Sequence, residues 1–246
     1  MAAAIDWIEP EWPVPSRIRA LVTTRQGGVS QGPYADLNLG TRVGDDLQAV
    51  TENRARVRAR LPSEPIWLRQ VHGVEVVQAD IVVGEPAADA AFTGAPEVVC
   101  AVQAADCLPV LVCDRRGTRV AAAHAGWRGL AAGVLESTVA ALSLPPADLV
   151  AWLGPAIGPR AFEVGTDVYE TFTTADPETA TAFQPVRDDK WLADLFALAR
   201  ARLSRAGVGE VFGGGLCTFT DPARFFSHRR DRVTGRQAAF IWIAGR

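Results

Sequence analysis

Histidine and cysteine are both scarce in this chain of 246 residues, which carries three of the first and four of the second. Cys100, Cys107, Cys113 and Cys217 make no disulfide framework in a chain this long. Cys100 and Cys113 stand in apolar, strand-like text, the setting of buried and inert thiols. Lysine is almost missing: Lys190 is the only one, and the other basic residues are arginine, a bias of coding first and of anion contacts second. Excess charge is absent too. A formal net charge of −3 excludes a basic nucleic-acid footprint or a polybasic membrane tether. No apolar run approaches the about 20 residues of a membrane helix. Met1-Ala-Ala-Ala-Ile-Asp-Trp7 lacks the charged and apolar regions of a secretory signal. These absences lead us to expect a cytoplasmic protein with neither nucleic acid nor membrane as partner. Repeats, low-complexity text and long linkers are missing as well, so residues 1–246 read as one domain. A hydrophobic fraction of 48% is ordinary for a globular chain and lets a core form without disulfides.

What is present alternates between strand and helix patterns. Arg19–Thr24, Ile66–Leu68, Val74–Val77, Val98–Gln103, Val110–Cys113, Arg119–Ala123, Leu149–Leu153, Val211–Phe212 and Gln237–Ile243 read as strands. Asp114-Arg-Arg-Gly117 makes a hairpin turn. Helical spacing marks Asp46–Leu61, Gly129–Leu144, Asp167–Phe172 and Trp191–Ala206, the last with Gly207 as a C-cap. Hairpin-joined strands with single helices predict an α/β (α+β) fold with mixed sheets rather than a doubly wound parallel one.

The chemistry concentrates at strand ends, where scaffolds display functional groups. His72 and His124 stand beside glycines in Arg69-Gln-Val-His72-Gly73 and His124-Ala-Gly-Trp-Arg-Gly129. Cys107 stands in Ala105-Asp-Cys107-Leu-Pro109, where strand text breaks at a polar pair and Pro109 withholds a backbone donor. Two imidazoles and a thiolate suit zinc, with a fourth position open for water or substrate. The structural alternative makes both histidines hydrogen-bonded core or turn residues and Cys107 a small buried hydrophobe. A third reading makes Cys107 a nucleophile with a histidine base. Spacing alone separates none of these. Asp89 and Asp106 are each candidates to fix a histidine tautomer, although strand alternation works against Asp106. Arg25, Arg69, Arg128, Arg229, Arg230 and Arg236 lie near glycines or polar breaks. Each alone suits a solvated turn, and as a group they point to at least one anion contact. Asn38 and Asp45, beside glycines, suit either ligand orientation or turn formation.

These blocks, with Leu153-Gly-Pro-Ala-Ile-Gly-Pro159 and Thr234-Gly-Arg236, resemble the YfiH family. That family is also called the polyphenol-oxidase or laccase domain family, a purine nucleoside phosphorylase family that includes laccase domain-containing 1. The similarity runs from Arg25-Gln-Gly-Gly-Val-Ser30 to Ile243. It implies a four-layer α/β/β/α sandwich of the kind shared with a bacterial toxin deamidase. It also implies a zinc site on His72, Cys107 and His124, which would be the catalytic residues as well. Arg25, Asn38, Gln70, Arg128 and Arg236 are then the expected substrate-binding residues. The implied activities are phosphorolysis of adenosine, inosine, guanosine and 5′-methylthioadenosine, and deamination of adenosine. Bacterial members are also named peptidoglycan editing factors, which keeps a Cys107 hydrolase of cell-wall precursors as the alternative. The laccase label meets an obstacle in the residue count. Three histidines cannot furnish a blue-copper site plus a His-rich copper cluster, which leaves single-copper polyphenol oxidation at most. One departure stands out: Ser227-His-Arg-Arg230 replaces the family's usual Ser-Tyr-Arg-Arg, so His228 either alters the pocket rim or offers an unexpected fourth nitrogen, a surface or rim role being the reading we favour.

Overall fold

Alternation along a strand sends successive side chains to opposite faces, and here both faces are apolar, which stacks the strands into layers. The computed structural model describes residues 5–245. Met1–Ala4, the start of the stretch read above as leaderless, lie outside the described residues. The first sheet is ordered β1 (Trp7–Ile8), β2 (Ile18–Thr23), β13 (Gln237–Ile243) and β5 (Cys100–Ala104), antiparallel throughout. The second runs β12 (Glu210–Gly213), β8 (Leu149–Leu153), β6 (Leu108–Asp114), β7 (Val120–Ala125), β4 (Ala90–Thr93) and β3 (Val76–Gln78). Its parallel pairs are β12 with β8 and β3 with β4, one at each edge. A small third sheet joins β10 (Phe183–Arg187), β11 (Lys190–Ala193) and β9 (Glu163–Gly165). The expected mixed sheet is present.

Val22, Val102 and Ile241 of the first sheet meet Leu111, Val120 and Trp152 of the second in one buried layer. The alternate residues Ala101, Phe240 and Trp242 pack outward against Val57 of α1 (Leu47–Arg58). On the far face of the second sheet, Val110, Val112 and Ala123 pack against α2 (Trp127–Ala132), α3 (Val134–Leu142), α4 (Thr166–Ala175) and α5 (Leu195–Arg205). A short α6 (His228–Asp231) precedes β13. Helix, sheet, sheet, helix is the four-layer sandwich that the motifs imply. Each buried Val, Leu or Ile contributes about 1.5–3 kcal/mol, so the inter-sheet layer alone is a large share of the driving force. Among the described residues no helix is long and apolar enough to cross a membrane.

Several element expectations need correction. Gly129–Leu144 is not one helix: Gly133, at φ 102°, breaks it into α2 and α3, a conformation glycine adopts without steric cost. Trp191–Ala206 is a strand followed by a helix. Asp194 caps α5, its carboxylate accepting the N–H groups of Phe196 and Ala197 at 2.9 and 3.0 Å. Trp191 instead lies in β11, stacked on Tyr169 with ring centroids 3.9 Å apart. Ile66–Leu68 is reduced to a single bridge from Ile66 to Cys100. The strand expected at Val74–Val77 is Val76–Gln78.

Candidate metal centre and its cleft

His124 occupies β7, where alternation sets it on the same face as Val120 and Ala122, toward the inter-sheet layer. Asp89 immediately precedes β4 on the adjacent strand. The His124 N–H donates to the Asp89 carbonyl at 2.7 Å, and His124 Nδ1 lies 2.9 Å from Asp89 Oδ1. The same carboxylate accepts the backbone N–H groups of Val71, His72 and Gly73 at 3.1, 2.9 and 2.7 Å. These bonds hold His72 at φ 61°, a left-handed conformation uncommon for a residue with a Cβ. Burial alone would push the Asp89 pKa up. The hydrogen bonds from His124 and the backbone outweigh it and hold the carboxyl below its ordinary range.

Cys107 sits in the turn between β5 and β6, after Asp106 at φ 92°. Asp106 faces away from the histidines, as strand alternation suggested. Its Oδ1 accepts from Thr218 Oγ1 and its Oδ2 from the Arg229 N–H, both at 2.6 Å. Of the two candidate carboxylates, Asp89 orients a histidine and Asp106 anchors the cysteine turn.

The three residues converge. Cys107 Sγ lies 3.7 Å from His72 Nε2, the two imidazole centroids are 4.9 Å apart at 78°, and one donor atom from each residue lies within 4.8 Å of the others. Bonds of roughly 2.0–2.3 Å to a tetrahedral ion place N and S about 3.6 Å apart, so the donor set fits a metal ion. With His124 Nδ1 turned to Asp89, Nε2 is the nitrogen left free to hold a metal. Gly126 makes the close approach possible. A Cβ there would stand 2.9 Å from both Cys107 Sγ and His72 Cδ2.

Burial pushes the Cys107 thiol up, but His124 and His72 more than offset this and hold it at about 6. Burial pulls His124 down, while Cys107 and Asp89 raise it to about 9. Each group thus favours the charged form of the other, a thiolate beside an imidazolium. Cys113 is pushed up to about 12 by burial and Asp114, and Cys100 higher still, as expected of inert core thiols.

The cluster opens into a cleft of about 440 Å³ lined by Gln70, Arg128 and Arg236, with Arg69 and His228. Gln70 clamps β5, donating from Nε2 to the Gln103 carbonyl and accepting the Gln103 N–H, each at 2.8 Å. Arg128 lies over the Trp127 ring at 4.4 Å. Arg236 Nη1 donates to the carbonyls of Thr234 and Gly235 at 3.0 and 2.9 Å. Arg25 and Asn38 are not at the cleft wall. Arg25 donates from Nε and Nη2 to the Ala35 carbonyl at 2.8 and 2.6 Å. Asn38 is fully buried and accepts the Arg236 N–H at 2.9 Å while donating to Asp45. Arg229 and Arg230 spend their side chains on backbone carbonyls of Glu163, Thr218, Phe219 and Phe225. Sequence reading missed Glu85, which lines the cleft and is held by Arg42 and Arg54 at 3.2 and 3.1 Å. Its only signal was the turn text Gly84-Glu-Pro86.

Residues 19–244 match the family model described as multi-copper polyphenol oxidoreductase laccase. A purine nucleoside phosphorylase of Pseudomonas aeruginosa is 56% identical over 242 residues, 96% of this chain and 98% of the relative. The purine nucleoside phosphorylase YfiH of Escherichia coli K12 is 54% identical with the same coverage. The crystal structure of a Neisseria meningitidis protein, 53% identical, superposes with a TM-score of 0.95 over 97% of this chain and 99% of that one.

Proposed function

Because the chain belongs to the YfiH family, whose model is described as multi-copper polyphenol oxidoreductase laccase, we propose that it acts as a zinc-dependent purine nucleoside phosphorylase that also deaminates adenosine. The observation that carries this reading is the convergence of His72, Cys107 and His124 at the floor of an arginine-lined cleft. A thiolate and two imidazoles, with the remaining side open to the cleft, form a donor set that favours a single zinc. Too few histidines are present for a copper cluster. The names of close relatives support purine nucleosides and phosphate as substrates; adenosine, inosine, guanosine and 5′-methylthioadenosine are the ones we assign. In this reading residues 1–246 work as one cytoplasmic domain.

Bound at this site, zinc supplies a Lewis acid and an activated water, the chemistry that hydrolytic loss of the purine C6 amino group requires. Asp89 keeps His124 in the tautomer that presents Nε2. Phosphorolysis breaks the bond between ribose C1′ and purine N9 and joins a phosphate oxygen to C1′. Arg236 and Arg128 hold the phosphate against that carbon, since guanidinium groups pair with its oxygens. Gln70 shapes the wall beside the metal ligands. Asn38 and Arg25 act from behind, Asn38 by fixing the Arg236 backbone.

The test is metal analysis paired with inosine and adenosine turnover in phosphate, before and after metal is stripped. We expect about one zinc per chain, with ribose 1-phosphate formed and lost on stripping. Metal-free protein that keeps full activity would sink the reading. The low Cys107 pKa beside His124 favours a second reading, a Cys107 hydrolase of cell-wall precursor amides. It requires rapid alkylation of Cys107 to abolish activity in chelator-treated enzyme.

A further inference from the structure

Phosphorolysis leaves one chemical requirement that the metal ligands and arginines do not meet. When the C1′–N9 bond breaks, its electron pair goes to the purine, which departs as an anion unless the ring receives a proton. The accessible imine nitrogen N7 is where that proton is delivered. The cleft therefore needs a general acid.

Elimination among the lining residues leaves one. His72, Cys107 and His124 are committed to the metal. Arginine does not release its proton near neutral pH. Glu85 spends its two carboxylate oxygens on Arg42 and Arg54. Glutamine and threonine do not exchange protons. His228 remains. It lines the same cleft, and among the described residues its exposed ring has no hydrogen-bond or ion-pair partner. Imidazole is also the side chain that most often transfers a proton in catalysis.

The backbone fixes where this ring sits. His228 opens α6, whose start is capped by Ser227 Oγ accepting the Arg230 N–H at 3.3 Å. The next N–H, that of Arg229, donates to Asp106 Oδ2 at 2.6 Å. Asp106 adjoins Cys107. The Asp106 carboxylate thus ties the backbone after His228 to the turn that carries Cys107, fixing the start of α6 at the wall of the cleft that His228 lines.

We propose that His228 is the general acid of phosphorolysis, delivering a proton to N7 of the leaving purine. The proton moves from imidazolium to N7, the C1′–N9 pair goes to the purine, a phosphate oxygen bonds to C1′, and the imidazole regains its proton from solvent. The assignment rests on the phosphorolysis reading above.

The discriminating substrate is 7-methylinosine, whose alkylated N7 already carries positive charge and needs no proton to leave. With zinc-loaded enzyme in phosphate, H228A should lower kcat/KM for inosine by about 100-fold or more. For 7-methylinosine the same variant should lose less than about tenfold, which also shows that it is folded and metal-loaded. H228Q, which keeps a donor but transfers no proton, should behave as H228A does. Equal losses on both substrates would overturn the proposal, assigning His228 to binding or structure. Unchanged inosine turnover would overturn it as well. In both cases wild-type turnover leaves the phosphorolysis reading standing. A wild-type enzyme that phosphorolyses neither nucleoside overturns both.

Discussion

Asp89 and His124 face each other across neighbouring strands and are joined twice, by a backbone hydrogen bond of 2.7 Å and by a carboxylate–imidazole contact of 2.9 Å. The same carboxylate gathers the backbone of Val71, His72 and Gly73. One buried side chain therefore sets the orientation of one proposed metal ligand and the loop that carries another. In Asp89→Asn, one oxygen becomes a donor that faces donors. We expect metal affinity to fall by 10- to 100-fold, the usual cost of losing a partner that orients a metal-bound histidine. The folded state should lose about 1–3 kcal/mol for the N–H groups left without an acceptor. Chelator competition and denaturant titration measure the two effects. An unchanged affinity would show that Asp89 serves the fold alone.

Metal affinity should depend on pH with a definite sign. The ion needs a deprotonated His124 Nε2 and a Cys107 thiolate, so each bound proton competes with it. His124 is raised to about 9 and Cys107 lowered to about 6. Between about pH 6 and 9 binding displaces the His124 proton, and affinity should rise about tenfold per pH unit. Below about 6 the thiol adds its own proton and the dependence steepens. Above about 9 the curve flattens. Zinc competition titrations across buffers check this, and a flat profile between pH 7 and 8.5 would exclude the imidazolium–thiolate pair.

Gly126→Ala isolates the packing of the site from its donor chemistry. The added Cβ would meet Cys107 Sγ and His72 Cδ2 at 2.9 Å, closer than carbon tolerates, so the two ligands must separate. Overpacking of this kind costs about 1–3 kcal/mol. We expect metal affinity to fall at least tenfold, with the melting temperature of the metal-free protein lowered by the same overpacking. Equal zinc occupancy in the variant and the wild type would show that the cluster is looser than this close packing implies.

The parts of the fold that were legible are those with an unambiguous period or cap. β13 reads correctly to both ends because seven consecutive buried residues serve two apolar layers. α1 starts just after its cap Asp46, whose side chain accepts from the Gln48 N–H at 2.9 Å, and stops at Arg58 rather than at the expected Leu61. Trp191–Ala206 misled because the apolar residues of β11 continue the spacing of α5 without a glycine or proline between them. β4 escaped notice because Ala90-Ala-Phe-Thr93 is short and opens on two alanines, which are depleted in strands. At the site, the glycine-flanked histidines and the break at Cys107 were readable, since irregular backbone beside a strand end carries its own text. Arg25 and Asn38 could not be told from ligand-binding residues. A polar side chain beside glycine looks the same in sequence whether it faces a cleft or satisfies buried carbonyls.

Arg236 separates the two proposed activities. Its guanidinium is half-buried, donates from Nη1 to two carbonyls, and has no ion-pair partner among the described residues. Burial draws its pKa down from 12.5, opposed by Cys107 and Asp106. A desolvated cation without a fixed counter-ion gains most when an anion enters the cleft. Phosphorolysis brings phosphate; deamination brings only water and a neutral nucleoside. Arg236→Gln should therefore raise the KM for phosphate by about tenfold or more, since a charged hydrogen bond contributes about 1.5–3 kcal/mol. Adenosine deamination measured without phosphate should change by less than about threefold. Lysine at this position should restore only part of the phosphate affinity, because a point charge replaces a planar fork. Loss of both activities in equal measure, with zinc occupancy intact, would place Arg236 with the nucleoside rather than with the phosphate.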